Sequence, residues 1–371
     1  MHQDRPQRKN HLQHIDMKKM KLVLENGMTF SGEGFTSGGA AVGEIVFNTS
    51  MIGYQEIISD PSYAGQIVVM TYPLIGQYGI TDEDFESKNP LIAGLVAREC
   101  CTTPSNFRFT KTLSEELDEH GIPCITGLDT RMITRIIRNE GCMKAAIVEE
   151  GTGDAEALAL IREAGPQTGM VAAASCSKRW FSRTPHHKFD VVLIDCGLKH
   201  SIISELNRRG CNVTVVPFNS GTEEILSFHP DGILISNGPG NPEELPELVG
   251  VIKELKGQLP IFGICLGEDL IALSYGARTY KMKSGHHGGR PVRELETGKI
   301  ITAEHGHNYA VDENSLDGTG LTVSYRDISD GTVEGLECLK DRVCTVQFNP
   351  EGAPGPRESV FFDKFIKMME D

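Results

Sequence analysis

Phe262-Gly-Ile-Cys-Leu-Gly267 is the stretch from which this chain can be read. The apolar run from Leu259 to Ile264 leads straight into Gly-x-Cys-x-Gly, and Leu270-Ile-Ala-Leu273 continues with helical character. Strand, tight turn and helix in that order make a nucleophile elbow, built here around cysteine. Gly263 and Gly267 let the backbone turn sharply, so Cys265 is expected to sit exposed at a helix N-terminus. Free N–H groups and the helix dipole there favour a thiolate and a developing oxyanion. A nucleophilic cysteine needs a base, and the base needs a group that orients it. Downstream, Asn349-Pro-Glu351 offers the orienting carboxylate, but asparagine has no basic nitrogen and cannot serve as the base.

The elbow lies in a run of alternating strand and helix patterns. Strands are expected at 191–194, 212–216, 232–236 and 260–264, and helices at 201–209, 222–228, 243–255 and 268–275. That alternation predicts a doubly wound parallel sheet with its sites at the carboxyl ends of strands, where Cys265 falls. Before it, residues 20–149 read as a β-rich domain of short runs such as Lys21-Leu-Val-Leu24 and Ile67-Val-Val-Met70, with helices near 113–120 and 130–139. Residues 150–188, with an Ala-rich helix and the lone Trp180, read as a connector. Residues 189–371 then form the second domain. The fold class expected is α/β in two domains: β-rich, then Rossmann-like.

Composition narrows the function. A chain of 371 residues with 39% hydrophobic and 23% charged residues is long enough for two cores. A net charge of −15 disfavours nucleic acid and anionic membranes as partners. Residues 1–19 are mostly polar and read as a disordered tail, with no apolar segment of a signal peptide. Ten cysteines occur without a CxxC pair, which suits reduced thiols in a cytoplasmic protein.

A second motif, Ser236-Asn237-Gly238-Pro239-Gly240, closes another expected strand of the same sheet and reads as a backbone wall facing the reacting carbonyl. Together with the elbow and Val346-Gln-Phe-Asn-Pro-Glu351, it resembles the class I glutamine amidotransferases. The N-terminal half narrows this further. Gly43-Glu-Ile-Val-Phe-Asn-Thr-Ser50, Gly53-Tyr-Gln-Glu56, Asp60-Pro-Ser-Tyr63 and Gly127-Leu-Asp-Thr-Arg131 resemble the small subunit of carbamoyl-phosphate synthetase. So do Asp195-Cys-Gly-Leu-Lys199, Gly285-His-His-Gly-Gly289 and Pro354-Gly-Pro356. The resemblance implies a cysteine nucleophile at Cys265 and a triad glutamate at Glu351, with Asn349 standing where the family has its histidine. It implies substrate contacts at Ser50, Gly238, Gly240, Leu266 and Tyr309, with Lys199 near the pocket. It also implies glutamine as substrate, ammonia passed to a large subunit, and ATP and Mg²⁺ used by that subunit, with no cofactor in this chain.

Three departures fall in one pocket. Besides Asn349, Glu268-Asp269 replaces the family's His-Gln, and Asp269 takes the place of a substrate-holding glutamine. The loop Glu304-His-Gly-His-Asn-Tyr309 is one residue longer than its family counterpart. Two carboxylates beside the elbow disfavour a thiolate. The departures predict impaired glutamine hydrolysis and leave two alternatives: a silent binding or regulatory subunit, and a hydrolase whose Asp269 selects a cationic amide or thioester. His305 and His307 are candidate substitute bases. His286, His287, His305 and His307 show no regular ligand spacing in the sequence, and no metal site is expected.

Overall fold

A computed structural model of the chain describes residues 17–35, 39–352 and 360–370. The expected tail over residues 1–19 and the Pro354-Gly-Pro356 motif lie largely or wholly outside these residues. Lys18 and Lys19, the end of that tail, already belong to the first strand.

The N-terminal domain holds β1 (Lys18–Leu24), β2 (Thr29–Phe35), β3 (Ala41–Asn48), β4 (Ile67–Met70), β5 (Leu74–Ile75), β6 (Gly94–Val96), β7 (Glu99–Cys100), β8 (Cys124–Thr126) and β9 (Met143–Glu149). Seven of them close into a barrel in the order β1-β2-β8-β6-β4-β3-β9, while β5 pairs with β7 outside it. Closure removes the unpaired edges that an open sheet of such short strands would present. Its helices are α1 (Tyr54–Ser59), α2 (Leu113–Glu119) and α3 (Thr130–Glu140). Thr112 and Glu115 form a reciprocal capping box on α2, and Asp129 caps α3 through the Met132 N–H. Ile133 and Ile137, one helical turn apart, bury one face of α3 in a core cluster with Leu22 and Ile125 of the barrel.

The segment 150–188 is more than a connector. Its helix α4 (Asp154–Glu163) packs Ala157 and Ile161 onto Val23, Ala146 and Val148 of the barrel. After α5 (Met170–Ala174), β10 (Trp180–Ser182) becomes the outermost strand of the second sheet by pairing with β12 (Cys211–Pro217).

That sheet also contains β11 (Phe189–Asp195), β13 (Gly232–Ile235), β14 (Ile261–Ile264), β15 (Thr279–Glu294), β16 (Ile300–Val311), β17 (Thr322–Asp327), β18 (Val333–Cys338) and β19 (Val343–Val346). Its order is β10-β12-β11-β13-β14-β19-β18-β17-β15-β16, with a parallel centre. The helices are α6 (His200–Arg208), α7 (Thr222–Ser227), α8 (Pro246–Leu255), α9 (Leu266–Ser274) and α10 (Val360–Glu370). The central strands are apolar on both faces because both are covered. Val192, Ile194, Ile233 and Ile235 join one core, and Val191, Leu193, Leu234 and Phe262 the other. The helix expected over 243–255 begins only at Pro246, after a 3₁₀ turn at Pro242–Glu244. Proline cannot donate a helical hydrogen bond and steers its predecessor away from helix, so Pro246 marks the first helical position. The long antiparallel hairpin of β15 and β16 has no counterpart in the alternating pattern read from the sequence.

Candidate active site

The elbow is present between β14 and α9. Cys265 adopts φ 53° and ψ −111°, unusual for a residue with a side chain. Its N–H donates to Val346 O at 2.8 Å, and its carbonyl accepts from the Glu268 N–H at 2.8 Å. Gly267 is required by proximity: a Cβ there would stand 2.3 Å from the Ile235 carbonyl oxygen of the adjoining strand. The turn after β13 is fixed by Asn237, which donates to Ser62 Oγ of the N-terminal domain at 2.9 Å.

Cys265, Leu266 and Asp269 line a cavity of about 410 Å³ with Gly238, Gly240 and Tyr309. Glu44, Ser62 and Gln66 of the barrel domain close its far side, so the cavity lies between the two domains. Six of the site residues read from the sequence therefore meet in one place. Cys265 itself is only 3% exposed, contrary to the expectation of an exposed thiol. Both the sheet and the barrel domain cover the strand end. Burial raises the thiol well above its usual pKa, and the charges of Asp269, Asp60 and Glu351 oppose the thiolate further, against one favourable contact from the Leu266 N–H.

The remaining site residues sit beside the cavity without lining it. Asn349 is buried; its N–H donates to Glu304 O at 2.8 Å, and its Oδ1 has no partner. Ser50 donates its hydroxyl to Glu304 Oε1 at 2.8 Å, so Glu304 joins Ser50 to the Asn349 backbone. Lys199 Nζ lies 2.8 Å from Glu351 Oε1, 3.8 Å from Asp60 and 3.9 Å from Glu86. Burial works against the charge of Lys199, but Glu351, Glu86 and Asp60 outweigh it and hold the ammonium protonated. No sequence pattern assigned Glu86 or Glu304 a role, because each reaches the site from a loop or strand remote in the chain.

Burial pushes Asp269 up to about 8, with Glu334 adding to the rise. Burial thus disfavours the ionised carboxyl that the cationic-substrate reading requires. Among the loop histidines, His307 lines the cavity, but its Nδ1 is bonded to the Tyr309 carbonyl at 2.8 Å and its Nε2 faces Glu334. His305 also turns to Glu334, with Nε2 3.1 Å from Oε2. No side-chain hydrogen bond joins either imidazole to Cys265 among the described residues. His287 stands apart, bonded to Asn308 and packed against Phe47 and Tyr63. All ten cysteines are free thiols, and no helix is long and apolar enough to cross a membrane.

Two families match the chain in sequence. Residues 22–147 match the carbamoyl-phosphate synthase small chain, CPSase domain, and residues 192–368 match glutamine amidotransferase class-I. These spans coincide with the barrel and the ten-stranded sheet. The chain is 47% identical over 355 residues to the carbamoyl phosphate synthase small chain of Bacillus caldolyticus, covering 95% of this chain and 97% of that one. It is 46% identical over 354 residues to the pyrimidine-specific small chain of Halalkalibacterium halodurans, covering 95% and 97%. With both domains matched in order and nearly the whole length aligned, the chain belongs to the carbamoyl phosphate synthase small chain family.

Proposed function

We propose that this chain is the glutamine-hydrolysing subunit of a carbamoyl-phosphate synthase, delivering ammonia to a large subunit, with hydrolysis impaired by Asn349. ATP and Mg²⁺ belong to that large subunit in this reading. The cavity at Cys265 is large enough for an amino-acid side chain amide, and Gly238 and Leu266 line it. Attack of sulfur on the amide carbon requires loss of the thiol proton and gain of a proton by the departing nitrogen. The observation that carries the proposal is the buried Asn349, whose side chain can do neither, beside a Glu351 already paired with Lys199.

The test is glutamate release from glutamine by the purified chain bound to the large subunit from the same organism. Turnover far below the ordinary range of roughly 1–10 s⁻¹ is expected. Turnover within that range overturns the impairment, and the absence of a complex at micromolar concentration overturns the partner. The engagement of Glu351 by Lys199 also favours a second reading, a silent subunit that only holds its partner. Release no faster than that of Cys265→Ser in the same complex would select it.

A further inference from the structure

We propose that His286, His305, His307 and Glu334 form a buried binding site for one divalent first-row transition metal ion of the zinc class. The site adjoins the Cys265 cavity and is separate from the triad positions.

The placement follows from strand geometry. Side chains two apart on a strand share a face, so His305 and His307 of β16 project together. In the β15–β16 register His286 lies opposite His307, and Gly288 opposite His305, which brings the third imidazole to the same face. Glu334 arrives from β18. The four residues are 0–5% exposed, and one donor atom from each lies within 4.8 Å of the others. Glu334 is at the centre: Oε1 is 2.8 Å from His286 Nδ1, and Oε2 is 3.1 Å from His305 Nε2 and 3.7 Å from His307 Nε2. Ligands about 2.0–2.2 Å from a tetrahedral ion stand roughly 3.3–3.6 Å apart, close to these separations.

The outer partners point to a ligand. His305 Nδ1 meets the Ala303 carbonyl at 3.0 Å, and His307 Nδ1 meets the Tyr309 carbonyl at 2.8 Å. His286 Nε2 meets Asp330 Oδ2 at 2.8 Å. Each outward nitrogen faces an acceptor, and a neutral imidazole that keeps its proton there turns the lone pair of its other nitrogen toward Glu334. Outer carbonyls and carboxylates orient metal-binding histidines in this way. A cation among the inward nitrogens and Glu334 would satisfy all of them at once, whereas without one the contacts to Glu334 require protonated imidazoles. His307 Nε2 has no hydrogen-bond partner, although it is buried. Glu268 Oε1 and Asp269 Oδ1 are likewise buried without a hydrogen-bond partner. Imidazole nitrogens with a single carboxylate suit zinc and its neighbours, whereas calcium and magnesium take oxygen ligands. The other carboxylates near His286, Asp327 and Asp330, are already paired with Arg290 at 2.7 and 2.9 Å, leaving them the outer role.

The full chain, stripped with a chelator, is dialysed against Zn²⁺ alone and the bound metal counted. Cobalt substitution then reports the coordination shell by its visible spectrum. One equivalent is expected in the wild-type chain and in Cys265→Ser, with a tetrahedral cobalt spectrum lacking thiolate charge-transfer bands. His307→Gln and Glu334→Gln should lose the tight equivalent. Asp330→Asn, which alters a half-exposed outer partner, should weaken binding by about 10- to 100-fold. Failure of the wild-type chain to retain zinc at micromolar concentration overturns the proposal and leaves an imidazolium–carboxylate cluster. Thiolate bands, or binding unchanged in Glu334→Gln and Asp330→Asn, overturn it as well.

Discussion

Lys199 Nζ lies 2.8 Å from Glu351 Oε1, and both side chains are sealed from solvent. The glutamate that matches the family triad thus has a lysine for its partner, while the residue two positions before it, Asn349, donates its backbone N–H to Glu304. Asp60 and Glu86 from the barrel domain complete a ring of three carboxylates around one ammonium. Lys199 therefore ties the two domains together as well as engaging Glu351.

Removing the lysine should be costly. Lys199→Met leaves Glu351 and Asp60 buried without a cation, and breaking a buried pair in this way typically costs about 3–5 kcal/mol. Urea unfolding of the chain should show a loss of that order. Lys199→Met/Glu351→Leu should recover much of it, since an uncharged pair leaves less to compensate. A single variant as stable as the wild type would show that the pair contributes nothing.

Restoring a base should restore chemistry in part. Asn349→His in the large-subunit complex is expected to raise glutamate release at least about tenfold, because loss of one triad member commonly costs 10³-fold or more. Lys199 competes for Glu351, so recovery stays incomplete. Adding Asp269→Gln should raise the rate further. No gain in a correctly folded Asn349→His protein would place the block elsewhere.

Alkylation of Cys265 should begin only at high pH. Burial comes first in raising this thiol, and the negative charge of Asp269 comes next, so the thiolate forms above the midpoint of a free thiol at about 8.5. Asp269→Asn removes a like charge and should move the alkylation midpoint down. Measurement by mass spectrometry of the Cys265 peptide across pH checks both. A midpoint below neutrality would reveal an activating group.

Gly238→Ala should damage the site from a distance of one methyl group. A Cβ at Gly238 would stand 2.2 Å from the Cys196 carbonyl oxygen and 2.9 Å from Leu266 Cδ2. The backbone has to shift, at an expected cost of about 1–3 kcal/mol. Thermal unfolding should fall accordingly, and alkylation of Cys265 should change as Leu266 moves. An unaltered melting curve would mean the turn yields freely.

The elbow was legible because its signals are local. A strand, two glycines and a helix lie within one short stretch; Gly267 is needed for its close approach to β13 and Gly263 for its approach to α9. The parallel centre was legible for the same reason: strands buried on both faces read as continuous apolar runs. Barrel closure was not, since Gly94–Val96 and Cys124–Thr126 are too short to carry a pattern and are defined only by their pairing. The exposure expected for Cys265 failed because its own sheet and the barrel domain together cover the strand end.

Residue chemistry alone determined that position 349 holds no base, that a thiol occupies the elbow, and that two carboxyls follow it. Tertiary structure decided which groups those residues meet. It placed Lys199 on Glu351 across 152 positions of chain, and Ser50 on Glu304. It also gathered His286, His305 and His307 around Glu334, a glutamate in no recognisable motif. Hydrogen bonds and ion pairs act over a few ångströms, and only folding brings partners so distant in sequence within that range.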